Sequence, residues 1–220
     1  MSAQQRTRLA ASAIACALAV AGAAGAGATA AREDMPRTRI AASPPPAEPV
    51  RWQVARGTIT ATCRLTLGGS FEAVSDALEG ELALASDGRA LEGTLRVPLD
   101  TFDTGIGLRN THMREHYLET GKGPDFARAA LTQIVLDEPR VATSGGQTAF
   151  GATLLLHGVT QDIRGTARIS RTGDGARVEA TFPVSLSAHG VPEPRYLGIG
   201  VRDGIEVRVT ATFSPAGGAR

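Results

Sequence analysis

The chain has 220 residues, of which 42% are hydrophobic and only 4% aromatic, and this length allows one or two domains. Its 23 basic and 22 acidic residues give a formal net charge of +1. A chain with a net charge so close to zero lacks the electrostatic basis of nucleic-acid binding, so we expect no nucleic-acid partner.

Residues 1–30 have the features of a secretory signal peptide. Arg6 and Arg8 give a positive start, and an Ala-rich apolar run follows them. Ala28 and Ala30 each end a small-residue triplet that suits cleavage. No later run of apolar residues is long enough to span a bilayer, so we expect an exported, periplasmic protein without a transmembrane segment in its mature chain.

Residues 31–50 are predicted to be a disordered, Pro-rich linker. The segment carries mixed charge, little apolar bulk and the triplet Pro44-Pro45-Pro46. Such a composition cannot bury enough surface to fold, and consecutive prolines favour a semi-rigid extended spacer.

Cysteine use excludes a disulfide framework in the mature chain. Cys16 lies in the apolar part of the signal peptide and would leave with it, so that Cys63 remains alone. Cys63 has apolar neighbours of the same strand parity, Ala61 and Leu65 among them. It is therefore predicted to be a small buried hydrophobic residue.

Residues 51–215 show an alternation of apolar and polar residues. This period of two is typical of antiparallel strands with one buried and one solvated face. Gly-rich turns separate several of the apolar runs, for example around residues 144–146 and 172–175. Eight strands are predicted, near residues 52–67, 77–86, 91–99, 129–137, 148–156, 161–171, 176–187 and 203–213.

Eight sequential antiparallel strands favour a closed up-and-down barrel, because closure removes the exposed sheet edges. A β-sandwich with a packed core fits the same periodicity. The inward parity carries many small residues, which would leave a cavity, although Ala and Gly are abundant throughout the chain. The small residues predicted to face inward are Ala83, Gly93, Ala152, Gly165, Ala167, Ala180 and Ala211.

The connection between the third and fourth predicted strands, residues 100–127, is the most informative part of the chain. It is too polar for a core, and it contains one predicted helix near residues 110–119. Loops held by a rigid scaffold commonly carry function. His112 and His116 would share a helix face there, but no third ligand is evident, so we expect no metal site.

This connection resembles the signature of the YceI-like family. A turn and strand at residues 154–160 and the segment 191–198 also resemble that family, and Asn110 and Gly123 depart from its usual Asp and aromatic residue. The matching residues are Asp103-Thr104-Gly105, Arg109, His112-Met113-Arg114, Tyr117-Leu118-Glu119 and Lys122-Gly123-Pro124.

The resemblance implies an all-β, eight-stranded antiparallel lipocalin-like barrel over residues 51–215. It also implies a non-catalytic protein, without a cofactor, that holds an isoprenoid or fatty-acyl lipid in an apolar cavity. An arginine fork at the mouth suits an acidic headgroup. The expected ligand-binding residues are Asp103, Arg109, His112, Tyr117 and Tyr196.

Several alternatives stay open at the level of sequence. Arg109 could pair with Asp103 or Asp100 and only brace its own loop, and His112 could be a structural histidine. The barrel could instead be filled and serve a membrane redox or stress-response partner through its outer loops. An enzyme is the third interpretation, although the chain has no G-x-S-x-G motif, and a homodimer is possible.

Overall fold

Antiparallel strands make up most of the folded chain. In the computed structural model, which describes residues 50–196 and 199–217, all described residues fall within one compact unit. The expected signal peptide and most of the expected linker lie outside the described residues. The strands are β1 (Arg51–Arg64), β2 (Ser70–Ser75), β3 (Glu79–Leu84), β4 (Ala90–Pro98), β5 (Arg128–Leu136), β6 (Gly146–Leu156), β7 (Val159–Thr172), β8 (Gly175–Ser185), β9 (Arg195–Tyr196), β10 (Ile199–Gly200) and β11 (Gly204–Pro215).

The main sheet closes on itself. Its strands follow the order β11-β8-β7-β6-β5-β4-β3-β1-β2, and a further pairing of β11 with β1 completes the circle. Both β2 and β3 pair with β1, one after the other along its length, so together they form one broken wall strand. Counted in this way, the wall has eight antiparallel strands, which confirms the predicted up-and-down barrel and excludes the β-sandwich.

The wall strand breaks between β2 and β3, next to Gly57 of β1. A β-carbon on Gly57 would lie only 2.6 Å from the Leu78 side chain. The Leu78 side chain, which lies at the break, therefore packs directly against the backbone of Gly57. The sequence-based assignment began a strand at residue 77 and missed β2. The short strand β2 directly follows Gly68 and Gly69, which both have positive φ angles and resemble a plain turn in sequence.

Glycines also allow close contact between β3 and β4. Gly80 and Gly93 have φ angles of +133° and +131°, a region that other residues rarely adopt. A β-carbon at either position would lie 2.1 Å from a carbonyl oxygen of the opposite strand. Substitution at these two positions would therefore force β3 and β4 apart.

The connection from residue 99 to residue 127 crosses one end of the barrel as a series of short helical segments. Helix α1 (Gly107–His112) continues directly into a single π-helical turn (Met113–Tyr117), and α2 (Pro124–Ala127) leads into β5. The predicted helix at 110–119 is therefore present, but it begins earlier and changes its hydrogen-bond pattern at Met113. Two 3₁₀ turns complete the connection, Leu99–Thr101 and Thr120–Lys122.

Two further short helical segments lie in other connections, α3 (Val141–Ser144) between β5 and β6 and a 3₁₀ turn (Ser187–His189) after β8. Within residues 50–196 and 199–217, no helix is both long and apolar enough to cross a membrane.

The hydrophobic core follows the inside of the barrel. Its main cluster extends along the interior and includes the edge-to-face ring pair Phe150 and Phe182, whose centres lie 6.1 Å apart. A smaller cluster around Leu186, Val191 and Val201 lies near the end crossed by the 99–127 connection. This second cluster anchors the segment after β8 against the barrel, and it positions the residues described next.

Candidate functional site

The barrel encloses an apolar cavity of about 610 Å³. Of the seven small residues predicted to face inward, Ala167, Ala180 and Ala211 line the cavity, and Gly93, Ala152 and Gly165 are not among its lining residues, although Ala152 is buried in the core. Ala83 does not line the cavity either, since its neighbour Leu82 lines it instead. The wall side chains include Ala61, Ala73, Leu82, Leu95, Val97, Leu131, Ile134, Leu154, Val184, Val207, Val209 and Phe213. The interior is therefore not filled by its own side chains.

Residues that line the cavity and are also exposed to solvent mark its mouth. Ile106, Leu108 and Ile199 meet both conditions. Arg109 and Arg195 of the two segments around the mouth line the cavity with them, and the exposed Arg96 of β4 also lines it. The mouth thus combines an apolar rim with two guanidinium groups, while the interior behind it is almost entirely apolar.

Tyr117 ties the two segments around the mouth together. Its hydroxyl group donates to the carbonyl oxygen of Arg195 and accepts from the backbone N–H of Arg195, each at 3.3 Å. Tyr117 also lines the cavity. The π-helical turn and strand β9 are therefore held at a fixed separation across the opening.

Arg109 stacks on an aromatic ring. Its guanidinium carbon lies 4.2 Å from the centre of the Phe71 ring, which belongs to β2. In the described part of the chain, no salt bridge joins Arg109 to Asp103 or Asp100. The loop-brace alternative through such a pair therefore has no support in the geometry, and the stacked cation remains at the cavity mouth with its N–H groups available.

Asp103 organises the loop before α1. Its carboxylate accepts from the Asn110 side-chain amide at 2.7 Å and from the Gly105 N–H at 2.8 Å. The hydrogen bond from Asn110, followed by that from Gly105, holds the pKa of Asp103 below its usual value. Asp103 does not line the cavity, so it contacts the mouth only through the loop it holds.

Asn110 has both of its amide functions in use. Its side-chain oxygen accepts from the N–H and the hydroxyl group of Thr104, at 2.9 and 2.7 Å. Asp103 can only accept and the Thr104 N–H can only donate, so a single amide orientation satisfies both. This explains how the chain uses Asn at a position where the family signature has Asp.

Two histidines of the connection lie side by side. The rings of His112 and His116 are 5.3 Å apart, and His112 lines the cavity. Within the described residues, no group of three His, Cys, Asp or Glu side chains comes together as a metal site.

Cys63 lies on the cavity wall and is half-buried. Burial raises the pKa of its thiol to about 11, and the nearby charge of Arg109 offsets this only in part. The thiol is therefore protonated at neutral pH, which is the opposite of an activated nucleophile. It acts as a small apolar surface, as the sequence predicted, although it contacts the cavity rather than a filled core.

Tyr196 pairs through its backbone with Ile199 at the mouth. Its side chain, together with Leu197 and Gly198, lies outside the described residues. Two further mouth residues, Phe71 and Arg195, were not among the expected ligand-binding residues. Phe71 belongs to strand β2, which the sequence did not predict. Arg195 directly precedes Tyr196 in the segment 191–198, which resembles the family in sequence.

A family model described as the YceI-like domain matches residues 50–213. A polyisoprenoid binding domain from Saccharophagus degradans, implicated in plant cell wall breakdown, is similar in structure with a TM-score of 0.58 and 18% identity. The similarity covers 75% of this chain and 98% of that one. No curated protein matches the chain.

BcnA from Burkholderia cenocepacia is also similar in structure. Its TM-score is 0.59 at 10% identity, over 71% of this chain and 95% of that one. At identities this low, both likenesses show a shared fold and nothing finer. They agree with the barrel described above over almost the full length of each neighbour.

Proposed function

Because the chain belongs to the YceI-like domain family, we propose that it binds one amphipathic lipid with an isoprenoid or fatty-acyl tail inside the barrel. The observation that carries this proposal is the open apolar cavity of about 610 Å³. Small-molecule sites typically occupy roughly 300–1,000 Å³, and eight strands give a barrel just wide enough for one ligand. The solved neighbour described as a polyisoprenoid binding domain supports the same class of ligand.

The tail would supply most of the affinity. Removing apolar surface from water contributes roughly 25 cal/mol per Å², and the cost of ordering a flexible chain offsets part of this gain. Most residues that line the cavity are Leu, Val, Ile, Phe and Ala, and the guanidinium groups among the lining residues are those of Arg96, Arg109 and Arg195. A saturated or prenyl chain suits such a wall better than a sugar or a peptide.

The headgroup would remain at the mouth, where we assign Arg109 as its main anchor. A guanidinium fork can donate two parallel hydrogen bonds to a phosphate or carboxylate, so an acidic headgroup fits best. His112, Tyr117 and Tyr196 are proposed to complete this polar ring. Asp103 is proposed to contribute through the loop that presents Arg109.

We also propose that the protein is exported to the periplasm and catalyses no reaction. Export rests on the positive start and apolar run of residues 1–30. A binding role rests on the chemistry of the cavity, whose one thiol is protonated at neutral pH and whose wall is apolar.

Native mass spectrometry of the purified protein tests this proposal, because a carrier that buries a lipid tail in an apolar interior should retain its cargo. We expect an adduct whose extracted mass corresponds to one lipid with an unmodified isoprenoid or acyl chain. A fluorescent acyl probe should bind to delipidated protein, and the extracted lipid should displace it. Protein without an adduct that also fails to bind the probe would overturn the proposal.

A further inference from the structure

Large apolar side chains are concentrated around the mouth on the outside of the barrel. Four of the six exposed large apolar residues in the described chain lie there. Leu108 is 60% exposed, Ile106 is 49% exposed and Ile199 is 41% exposed, and all three also border the cavity. The fourth, Leu67, is 77% exposed.

Leu67 belongs to this rim because the β1–β2 turn is bonded to β10. The backbone N–H of Thr66 donates to the carbonyl oxygen of Gly200 at 2.9 Å, and the Thr66 hydroxyl accepts from the Gly200 N–H at the same distance. Ile199 directly precedes Gly200. We call Leu67, Ile106, Leu108 and Ile199 the mouth rim.

Cations without a carboxylate partner surround the mouth rim. Arg64 and Arg202 are exposed, lie on neighbouring segments joined by a 2.8 Å backbone hydrogen bond, and form no salt bridge in the described chain. Arg109 stacks on Phe71 rather than on an acid.

The nearby carboxylates are already occupied. Glu193 pairs with Arg195 at 2.7 Å. Asp203 accepts from the Ser185 hydroxyl at 2.7 Å and from the Ser187 N–H at 2.6 Å. The hydrogen bond from Ser185 is the largest cause that holds the pKa of Asp203 below its usual value. Asp203 keeps its negative charge, and Asp103 and the exposed Glu115 add two more carboxylates at this end. The groups there that can bind lipid phosphates are the guanidinium groups of Arg64, Arg109 and Arg202, which form no salt bridge in the described residues.

We propose that the mouth rim docks on the surface of an anionic phospholipid bilayer, with the four apolar side chains inserted and the arginines on lipid phosphates. Exposed apolar groups next to basic residues favour binding at a membrane interface. The inference rests on the proposed lipid-binding function, since docking in this orientation would let a tail enter the cavity from the bilayer without crossing water.

Co-sedimentation with phosphatidylcholine vesicles, with and without phosphatidylglycerol, tests the docking face. The test variant is Leu67→Ser combined with Arg64→Ser, because neither residue lines the cavity. The matched control is Val135→Ser combined with Arg208→Ser, which removes one exposed apolar group and one charge away from the mouth. Binding of the fluorescent acyl probe in solution is measured on the same proteins.

We expect the wild-type protein to bind vesicles that contain phosphatidylglycerol more tightly than neutral ones, and added salt to weaken this binding. The test variant should lose at least tenfold in vesicle affinity, while it binds the probe like the wild type. The control variant should match the wild type in both measurements.

Equal vesicle binding by the test and control variants would overturn the docking proposal, and so would the absence of vesicle binding at low salt. A wild-type dimer that only the test variant dissociates, without vesicle binding, would instead assign the rim to a second copy of the chain. Vesicle binding without probe binding would refute the proposed lipid carriage and leave the docking face intact.

Discussion

The Nε2 atom of His157 lies 3.1 Å from the Oε2 atom of Glu119, and this contact fastens the 99–127 connection to the barrel. His157 is buried at the β6–β7 turn, where its Nδ1 atom lies 3.2 Å from the carbonyl oxygen of His189. Its ring also packs edge-on against Phe126. One imidazole thus joins three segments at the end of the barrel that holds the mouth.

His157→Ala is expected to destabilise the protein. It removes both hydrogen bonds and leaves the buried carbonyl group of His189 without its partner. Such a loss costs about 1–3 kcal/mol, and roughly 2–4 °C in melting temperature accompany each kcal/mol in a domain of this size. Thermal unfolding followed by circular dichroism measures the effect.

His116→Ala is the matched control, since His116 is exposed and its only described contact is the neighbouring ring of His112. It should melt within about 1 °C of the wild type, as surface substitutions usually do. If the two variants melt alike, His157 does not fasten the connection.

Ala180→Phe tests whether the empty interior is the ligand site. Ala180 lines the cavity, and a phenyl ring there would occupy space that the tail requires. We expect at least a tenfold loss of affinity for the acyl probe. The melting temperature should hold or rise, because filling a cavity commonly adds about 0.5–2 kcal/mol.

Thr181→Phe provides the comparison, since this neighbour points away from the cavity on the same strand. It should leave probe affinity unchanged, as measured by fluorescence titration. Unaltered affinity in Ala180→Phe, with the variant folded, would place the lipid outside the barrel.

Much of the fold follows from local pattern. Alternation predicted the wall strands because each has one face toward the interior and one toward water, and the eight-strand count suggested closure. The alternation did not predict strand β2, and it assigned Ala83 to the inner face although Leu82 lines the cavity. Both errors lie next to the break in the wall strand. A break of this kind changes which residues of the following strand face inward, and no residue near 76–78 indicates the change in the sequence.

The site was less predictable than the fold. Arg109, His112 and Tyr117, which belong to the family signature, line the cavity, and their role in ligand binding stays a prediction. The stacking of Arg109 on Phe71 depends on which residues of two distant segments meet, and local sequence carries no information about that. The same limitation applies to the bonds between Tyr117 and Arg195, which are 78 positions apart.

Asn110→Asp should destabilise the protein in a pH-dependent way. It would place a second carboxylate against Asp103, and like charges raise the pKa of one of the two. In the variant, the carboxyl group whose pKa is raised in the folded protein lowers the stability as the pH rises through that pKa. In the wild type, the pKa of Asp103 is lowered in the folded protein, so its contribution to stability is lost only as the pH falls. The difference in melting temperature between variant and wild type should therefore be largest near about pH 7 and shrink toward about pH 4.

Asn110→Ala removes the amide without adding a charge. Asn110→Ala should be less stable than the wild type at neutral pH. The difference in melting temperature between Asn110→Ala and Asn110→Asp should vanish on acidification. A constant difference between Asn110→Asp and Asn110→Ala from neutral to acidic pH would show that the two carboxyl groups do not interact.

Arg109→Ala separates a headgroup anchor from a loop brace. Its stacking on Phe71 is worth only about 0.5–1 kcal/mol at a partly exposed site, so the melting temperature of the lipid-free protein should change little. A hydrogen bond to a charged group is worth about 1.5–3 kcal/mol, so affinity for a lipid with an acidic headgroup should fall roughly 10- to 150-fold. Arg109→Lys should recover part of the loss, since it keeps the charge without the planar fork.

Arg208→Ala is the control for Arg109→Ala, because Arg208 lies on the outer wall beside Glu206 and away from the cavity. Calorimetric titration with two lipids that share a tail, one with a phosphate headgroup and one with a neutral alcohol, sharpens the comparison. The effect of Arg109→Ala should appear with the phosphate and nearly disappear with the alcohol, since only the phosphate can accept the fork. Equal losses with both lipids, or a large fall in lipid-free melting temperature with unchanged affinity, would show that Arg109 serves the loop and not the ligand.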